Sequence, residues 1–128
     1  MKILGIGVDV IENKRIHTLI NNKSFIKRTF GKKEVFLSKK ILNKTSYFAK
    51  RFAAKESFAK SLGTGFRNGL NFKDIEILNN KIGKPYFLKS KKINEIIKKK
   101  FRTQNYDLFL SISDEKDYSV AFTILQTK

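Results

Sequence analysis

The chain has 128 residues, no cysteine and a formal net charge of +17, from 28 basic and 11 acidic side chains. This length predicts one domain, residues 1–128, with a small hydrophobic core. Without cysteine the chain has no disulfides, thiolate metal sites or thiol nucleophile, and with no signal peptide or bilayer-spanning run visible we expect a cytoplasmic protein. The positive charge favours an anionic partner, whether nucleic acid, membrane surface, phosphorylated ligand or acidic protein.

The first predicted element is a strand from Ile3 to Ile11. Its even-numbered positions share one apolar face: Leu4, Ile6, Val8 and Val10. The opposite face carries Gly5, Gly7 and Asp9, and two glycines ahead of an acid let another backbone or a ligand come close. Asp9 is then either a polar residue where the strand turns into solvent or part of a site.

Three short helices and a long one should follow. Their predicted bounds are Asn13–Ile20, Ser24–Thr29, Lys32–Lys39 and Thr45–Leu62, with Gly63 capping the last. Beyond Gly65 the pattern predicts strands at Phe72–Leu78 and Tyr86–Leu88 around a Gly83–Pro85 turn, a helix at Ile93–Phe101, and a final hairpin of Tyr106–Ser113 and Tyr118–Leu125. This order of a strand, helices and mostly antiparallel strands predicts an α+β fold.

The long helix places a carboxylate in an apolar stripe, because Phe48, Phe52 and Glu56 are spaced i, i+4, i+8. An ionised Glu in that position must be paired, protonated or bound to a metal, since an isolated buried charge is very costly. One interpretation is an ion pair with Lys60 on a half-exposed helix. The other is that Glu56 and Asp9 both face inward and form a hard-cation site completed by waters and a phosphate.

Three segments together resemble the holo-[acyl-carrier-protein] synthases, the small single-domain 4′-phosphopantetheinyl transferases. The segments are Gly5–Glu12, Arg51–Lys60 with Gly63-Thr64-Gly65, and Gly83-Lys84-Pro85, and they match in order and spacing along almost the whole chain. The resemblance implies transfer of phosphopantetheine from coenzyme A to a serine of apo-acyl carrier protein, for fatty acid biosynthesis. Adenosine 3′,5′-bisphosphate would be the other product. It also implies a homotrimer whose cofactor clefts lie between neighbouring subunits.

The resemblance also implies site residues. Asp9 and Glu56 would bind Mg²⁺, with Mn²⁺ as a substitute, and Lys60 would complete the catalytic set beside the coenzyme A diphosphate. The serine proton would go to Glu56 or to a metal-bound water. The implied coenzyme A contacts are Arg51, Lys55, Lys60, Gly63, Lys84, Pro85, Ser111 and Ser113. Glu34 falls on a recurrent acidic position of the family and is expected to support the site without touching a ligand.

An acidic carrier protein gives the positive charge a use, because the family docks carriers on its early helices. The residues placed there are Lys14, Arg15, Lys23, Lys27 and Arg28. Opposite charges would raise the association rate and make it sensitive to salt. The alternative is a generally basic surface on which these five residues have no special role.

The late strand departs from the family pattern, because Phe109 and Asp114 stand where many members carry histidines. A contact from the first histidine to coenzyme A is therefore absent. Two other functions are considered: a basic nucleic-acid-binding module with aromatics among lysines, as at Lys99–Arg102 and Phe25–Phe30, and an inactive carrier-protein binder. Core-facing aromatics argue against the first, and the intact acids and Lys60 against the second, so neither nucleic acid nor membrane is expected as a partner.

Overall fold

The computed structural model describes residues 1–128 and confirms the predicted α+β class. Strand β1 (Ile3–Glu12) is followed by three short helices, α1 (Asn13–Leu19), α2 (Lys23–Thr29) and α3 (Lys32–Ser38), and by the long helix α4 (Lys44–Ser61). The second half contains β2 (Ile77–Asn79), β3 (Pro85–Phe87), α5 (Lys91–Phe101), β4 (Tyr106–Asp114) and β5 (Tyr118–Thr127). The predicted helices and the final hairpin agree with these bounds to within two residues.

The long predicted strand Phe72–Leu78 is wrong in its first half, where residues Phe72–Asp74 form a single 3₁₀ turn. The Asp74 carboxylate accepts the Asn71 backbone N–H at 2.8 Å, and the Asp74 N–H donates to the Asn71 carbonyl. This local capping bends the chain before β2 begins. The Phe72 ring stacks on Phe66 and Phe52, so its apolar character reflects packing against α4 rather than a strand face.

The sheet has three antiparallel strands in the order β1-β5-β4, and β2 and β3 form a separate antiparallel pair. Helix α4 lies against the inner face of the three-stranded sheet. There β5 contributes four fully buried residues: Ser119, Ala121, Thr123 and Leu125. The hydroxyls of Ser57 on α4 and Thr123 are 2.6 Å apart, so the helix and the central strand are joined by a buried polar contact as well as by apolar packing.

Gly5 and Gly7 allow α4 to rest directly on β1. A Cβ atom at Gly7 would lie 1.8 Å from the Ser57 carbonyl oxygen, and one at Gly5 would lie 1.8 Å from that of Ser61. Both contacts are with helix backbone, which cannot give way as a flexible side chain would. The glycine face of β1 therefore accommodates another backbone and not a ligand.

The opposite face of the sheet is apolar and uncovered. Five large side chains on it each expose between 40% and 61% of their surface: Ile6, Val8, Val10, Phe109 and Phe122. We call this set the outer face. Monomeric proteins seldom leave so continuous an apolar patch in water, and such patches mark sites of association.

Candidate active site

Asp9 and Lys60 meet where β1 crosses the last turn of α4. Asp9 pairs with Ala121 in the sheet register, and its side chain lies on the helix side with 15% of its surface exposed. The Lys60 Nζ donates to Asp9 Oδ1 at 3.1 Å and to the Val8 carbonyl oxygen at 3.0 Å. Asp9 is therefore not a strand-end residue in solvent, because a helix side chain engages it directly.

Glu56 lies one turn before Lys60 and is only partly exposed. The four ion pairs of the chain do not include Glu56, so the alternative Glu56–Lys60 pair is not formed and Lys60 turns to Asp9 instead. Burial raises the pKa of Glu56, the nearby Asp9 charge raises it further, and Lys60 and Arg15 oppose these effects. The two carboxylates thus act on each other across the strand–helix contact, as the inward-facing interpretation predicts.

This donor set suits an open site for a hard cation. No cluster of three or more His, Cys, Asp or Glu side chains exists in the chain, so a closed metal cage is absent. Mg²⁺ characteristically binds through one or two carboxylates together with waters and substrate phosphates. Asp9 and Glu56 supply that number of carboxylates, and Lys60 is bonded to the first of them.

The predicted contact between Lys55 and coenzyme A is wrong. The Lys55 side chain has no exposed surface, and its ammonium lies 2.6 Å from Glu34 Oε1. The Phe72 and Ile75 carbonyls also accept hydrogen bonds from it. With all three ammonium hydrogens directed to protein acceptors in the core, Lys55 cannot reach a bound ligand.

Glu34 explains why this lysine tolerates burial. Its carboxylate accepts the backbone N–H of Gly31 at 2.9 Å and that of Ile77 at 3.1 Å, in addition to Lys55. The pair therefore connects α3, α4 and β2 beneath the helix that carries Glu56. The sequence signal for this arrangement is weak, because a Lys next to a Glu that is predicted to bind metal resembles a ligand contact.

Arg51 borders a cavity of about 640 Å³, whose wall includes Pro85 and Asp114. Its guanidinium lies 3.7 Å from the centre of the Tyr47 ring and donates to Asn79 Oδ1 at 2.6 Å. The Arg51 Nε is buried without a hydrogen-bond partner, and burial lowers the pKa of this guanidinium. Arg51 is thus a fixed cation in a concave site, a role that sequence spacing alone does not reveal.

Lys84 and Pro85, both predicted to contact coenzyme A, differ in position. Pro85 lines the cavity with Arg51, whereas Lys84 is exposed and does not line it. Asp114 accepts a hydrogen bond from the Ser46 hydroxyl at 2.9 Å at the same cavity. Lys50 and Asn79 also line it and are additions to the predicted set, recognisable only once the β2–β3 turn and α4 are brought together.

Gly63 lies just past α4 with φ +80°, and its N–H donates to the Lys60 carbonyl at 3.0 Å. The predicted capping role is confirmed, since this left-handed conformation favours glycine. A Cβ there would meet nothing within 4 Å, so backbone conformation and not space selects the residue.

Ser111 and Ser113 point away from Asp9 and Glu56. They pair with Phe122 and Val120 in the sheet register and are exposed on the outer side of β4. A single chain therefore does not bring these serines to the carboxylate pair.

The five predicted carrier-docking residues are all exposed, on α1 and α2. Arg15 is near enough to Glu56 for its charge to oppose the rise in that pKa, so α1 borders the carboxylate site. Lys23 and Lys27 line a groove of about 950 Å³ between α2 and α3. Arg28 lies over the Phe25 ring and donates to the Ser24 hydroxyl.

No helix in the chain combines the length and the apolarity needed to cross a bilayer.

Known proteins resemble this chain in sequence and in fold. Residues 5–123 match the sequence model described as "4'-phosphopantetheinyl transferase superfamily". A curated relative from Pelagibacter ubique (strain HTCC1062), a holo-[acyl-carrier-protein] synthase, is 59% identical over 128 residues, covering 100% of each chain.

Two solved structures show the same fold at greater sequence distance. The holo-[acyl-carrier-protein] synthase of Neisseria meningitidis superimposes with a TM-score of 0.88 at 34% identity, over 98% of this chain and 99% of that one. The Bacillus anthracis str. Ames enzyme, solved in complex with CoA (3',5'-ADP), gives a TM-score of 0.83 at 32% identity over 100% of both chains.

Proposed function

Because the chain belongs to the 4′-phosphopantetheinyl transferase superfamily, we propose that it transfers 4′-phosphopantetheine from coenzyme A to a serine of apo-acyl carrier protein. Holo-acyl carrier protein, for fatty acid biosynthesis, and adenosine 3′,5′-bisphosphate are the products. The observation that supports this most strongly is the meeting of Asp9, Glu56 and Lys60 at one strand–helix crossing.

The carboxylate pair is the proposed Mg²⁺ site, which Mn²⁺ would also fill. A metal ion held by Asp9 and Glu56 would bind the coenzyme A diphosphate, neutralise its charge and polarise the attacked phosphorus. Lys60 extends from the next turn of α4 and would stabilise the charge that develops on the phosphate of the leaving adenosine 3′,5′-bisphosphate. Most of the rate enhancement would come from positioning and electrostatics, as is usual in phosphoryl chemistry.

Glu56 is the proposed acceptor of the serine proton. Of the two carboxylates it is the one without a lysine partner, so a Glu56 oxygen that does not bind the metal would be free to take the proton. The serine oxygen would attack the β-phosphorus as its proton passes to a Glu56 oxygen, and the bond to the adenosine bisphosphate would break.

Coenzyme A itself would contact residues from two subunits. We place its diphosphate against Lys60, and assign Arg51, Gly63, Lys84, Pro85, Ser111 and Ser113 to the remaining contacts. The two serines lie on the outer side of β4, beside an apolar face that a neighbouring copy would cover. A homotrimer with clefts between subunits accounts for both features, because a site divided by the sheet becomes complete only across an interface.

The acidic carrier protein would dock on α1 and α2 through Lys14, Arg15, Lys23, Lys27 and Arg28. Arg15 connects this surface to the carboxylate pair, so a docked serine would arrive beside Glu56. A chain of net charge +17 would attract such a partner over a distance, at a rate that falls as salt screens the charges.

The nucleic-acid alternative loses its aromatic residues in the fold. Phe25 and Phe30 are buried and pack edge to face with ring centres 6.0 Å apart, so neither can stack on a base. The proposed compartment is the cytoplasm, because a chain without cysteine suits a reducing environment.

The test is intact-mass spectrometry of an apo-acyl carrier protein incubated with coenzyme A, Mg²⁺ and this protein, beside an EDTA control. We expect a metal-dependent gain of one phosphopantetheine that is lost in Asp9→Ala and Glu56→Ala. Glu95→Ala, which removes a carboxylate on α5 outside the site, should retain the gain. No gain across several apo-carriers at low salt would contradict the transferase function.

A further inference from the structure

Lys60 is bonded to the Asp9 carboxylate, a contact that its proposed role in binding the diphosphate does not require. Its ammonium is 3.1 Å from the Asp9 carboxylate and 3.0 Å from the carbonyl oxygen of Val8, on the edge strand β1. Both acceptors are oxygens, one charged and one neutral, of the kind a hard cation also selects. The lysine nitrogen therefore stands where positive charge is needed in the absence of a metal.

We infer that Lys60 is a tethered cation that partly offsets the negative charge of the Asp9–Glu56 pair until a divalent metal displaces it from Asp9. Without such a cation, the two negative charges at the strand–helix crossing would repel each other. Lys60 opposes this effect at Glu56 through its charge and at Asp9 through a direct bond. The inference rests on the metal-dependent transferase proposed above and assigns Lys60 a second position in it.

Exposure indicates that the contact can open. Lys60 keeps 53% of its side-chain surface in water, so its flexible stem can turn outward without leaving a hole in the core. The buried Lys55 differs in this respect, because three acceptors surround its ammonium and none of its surface is exposed. The two lysines of α4 thus divide into one permanent ion pair and one exchangeable ion pair.

Release of Lys60 also prepares the anion site. An ammonium freed from Asp9 remains one helical turn from Glu56 and becomes available to a diphosphate oxygen. Binding of the metal and transfer of Lys60 to the diphosphate are then one exchange. The metal takes the place of Lys60 at Asp9, and Lys60 binds the diphosphate that comes with the metal.

The direct test is Mn²⁺ binding without coenzyme A, measured by electron paramagnetic resonance of the free ion at fixed low ionic strength. Because exposed ion pairs are weak, we expect Lys60→Gln to bind Mn²⁺ only about two- to five-fold more tightly than the unaltered protein. Arg15→Gln is the matched control, since its charge reaches Glu56 but it forms no ion pair with either acid. A gain as large in Arg15→Gln would mean a general field effect and would overturn the inference.

A second measurement follows the unaltered protein and uses the Lys60→Gln variant only to assign one resonance. The Nζ resonance of Lys60, assigned by its loss in Lys60→Gln, should shift when Mg²⁺ is added, whereas that of Lys50 should not. A Lys60 signal that stays unchanged while Mg²⁺ binds would refute displacement. If neither the unaltered protein nor Lys60→Gln binds Mn²⁺, the inference fails, and the mass-spectrometric assay with EDTA then decides separately whether the transferase proposal survives.

Discussion

At the scale of single residues, adjacent positions of α4 serve opposite purposes. Lys55 and Glu56 are neighbours in sequence, but the helix turns them about 100° apart. Lys55 is held in the core by Glu34, whereas Glu56 reaches the edge of the sheet beside Asp9. Lys55 thus anchors the helix in the core, whereas Glu56 is available to the proposed metal site.

Removing one partner of the buried pair should be costly. We expect Lys55→Met to lower the free energy of unfolding by about 3–5 kcal/mol, because Glu34 would be left as an unpaired buried charge. Urea denaturation would measure this, with Lys50→Met as a control expected within about 0.5 kcal/mol of the unaltered protein.

The double variant Glu34→Gln/Lys55→Met should lose less than the sum of the two single changes, since their interaction is shared. Where Lys55→Met still folds, its KM for coenzyme A should be unchanged. A raised KM with normal stability would restore the original prediction of a cofactor contact.

Glu56 should make stability depend on pH in a direction opposite to that of a salt-bridged acid. Its folded-state pKa is raised above the ordinary value of 4.5, so the folded protein binds the proton more tightly than the unfolded chain. Stability therefore falls as the pH rises from 4.5 through the folded-state pKa. Without metal, Glu56→Gln should therefore be more stable at pH 7, by less than about 1 kcal/mol because the carboxylate keeps some contact with water.

The gain from Glu56→Gln should disappear below pH 4.5, where Glu56 is protonated in both the folded and the unfolded protein. Thermal melts in EDTA from pH 4 to pH 8 would measure this, with Glu95→Gln for comparison. A variant less stable at pH 7 would show that Glu56 is not penalised by its surroundings.

At the scale of elements, the site exists because a strand and a helix lie unusually close. The glycines of β1 let α4 settle onto the sheet, and that approach is what brings Lys60 within hydrogen-bonding distance of Asp9. The same packing turns the apolar side chains of β1 outward. The contact between Lys60 and Asp9 and the exposed outer face are thus two consequences of one arrangement.

Replacing Gly7 or Gly63 by alanine should destabilise the protein, but for different reasons. Gly7→Ala would force a Cβ into the Ser57 carbonyl, and we expect a loss of about 3 kcal/mol or more, with separation of β1 from α4. Gly63→Ala meets no atom but must adopt a left-handed conformation, which costs about 1–2 kcal/mol. Chemical denaturation of both variants would show the difference, and equal losses would contradict the close-packing explanation.

At the scale of the whole molecule, the outer face and the divided site call for assembly. Apolar residues of β1, β4 and β5 lie in water in the single chain, and the serines proposed for coenzyme A stand beside them. Burying this face between copies would remove apolar surface from water and bring those serines to a neighbour's carboxylates.

Phe122→Asp should prevent assembly by placing a charge at the centre of this face. Sedimentation velocity should give a trimer for the unaltered protein and a monomer for the variant, with loss of transferase activity. Phe36→Asp, which alters an exposed phenylalanine of α3 away from the sheet, should remain trimeric. A monomeric unaltered protein that retains full activity would disprove the shared site.

The fold class, the order of the elements and the proximity of Asp9 to Glu56 were predictable from the sequence, because apolar periodicity and a carboxylate within an apolar stripe are local patterns. The folded chain was needed to show which lysine is buried, which face of β1 meets the helix and where the chain turns before β2. Lys55 and Lys60 are both lysines of one helix, and their roles depend on whether Glu34 or Asp9 lies opposite. Contacts between residues far apart in sequence leave no local pattern, so they are settled only when the chain folds.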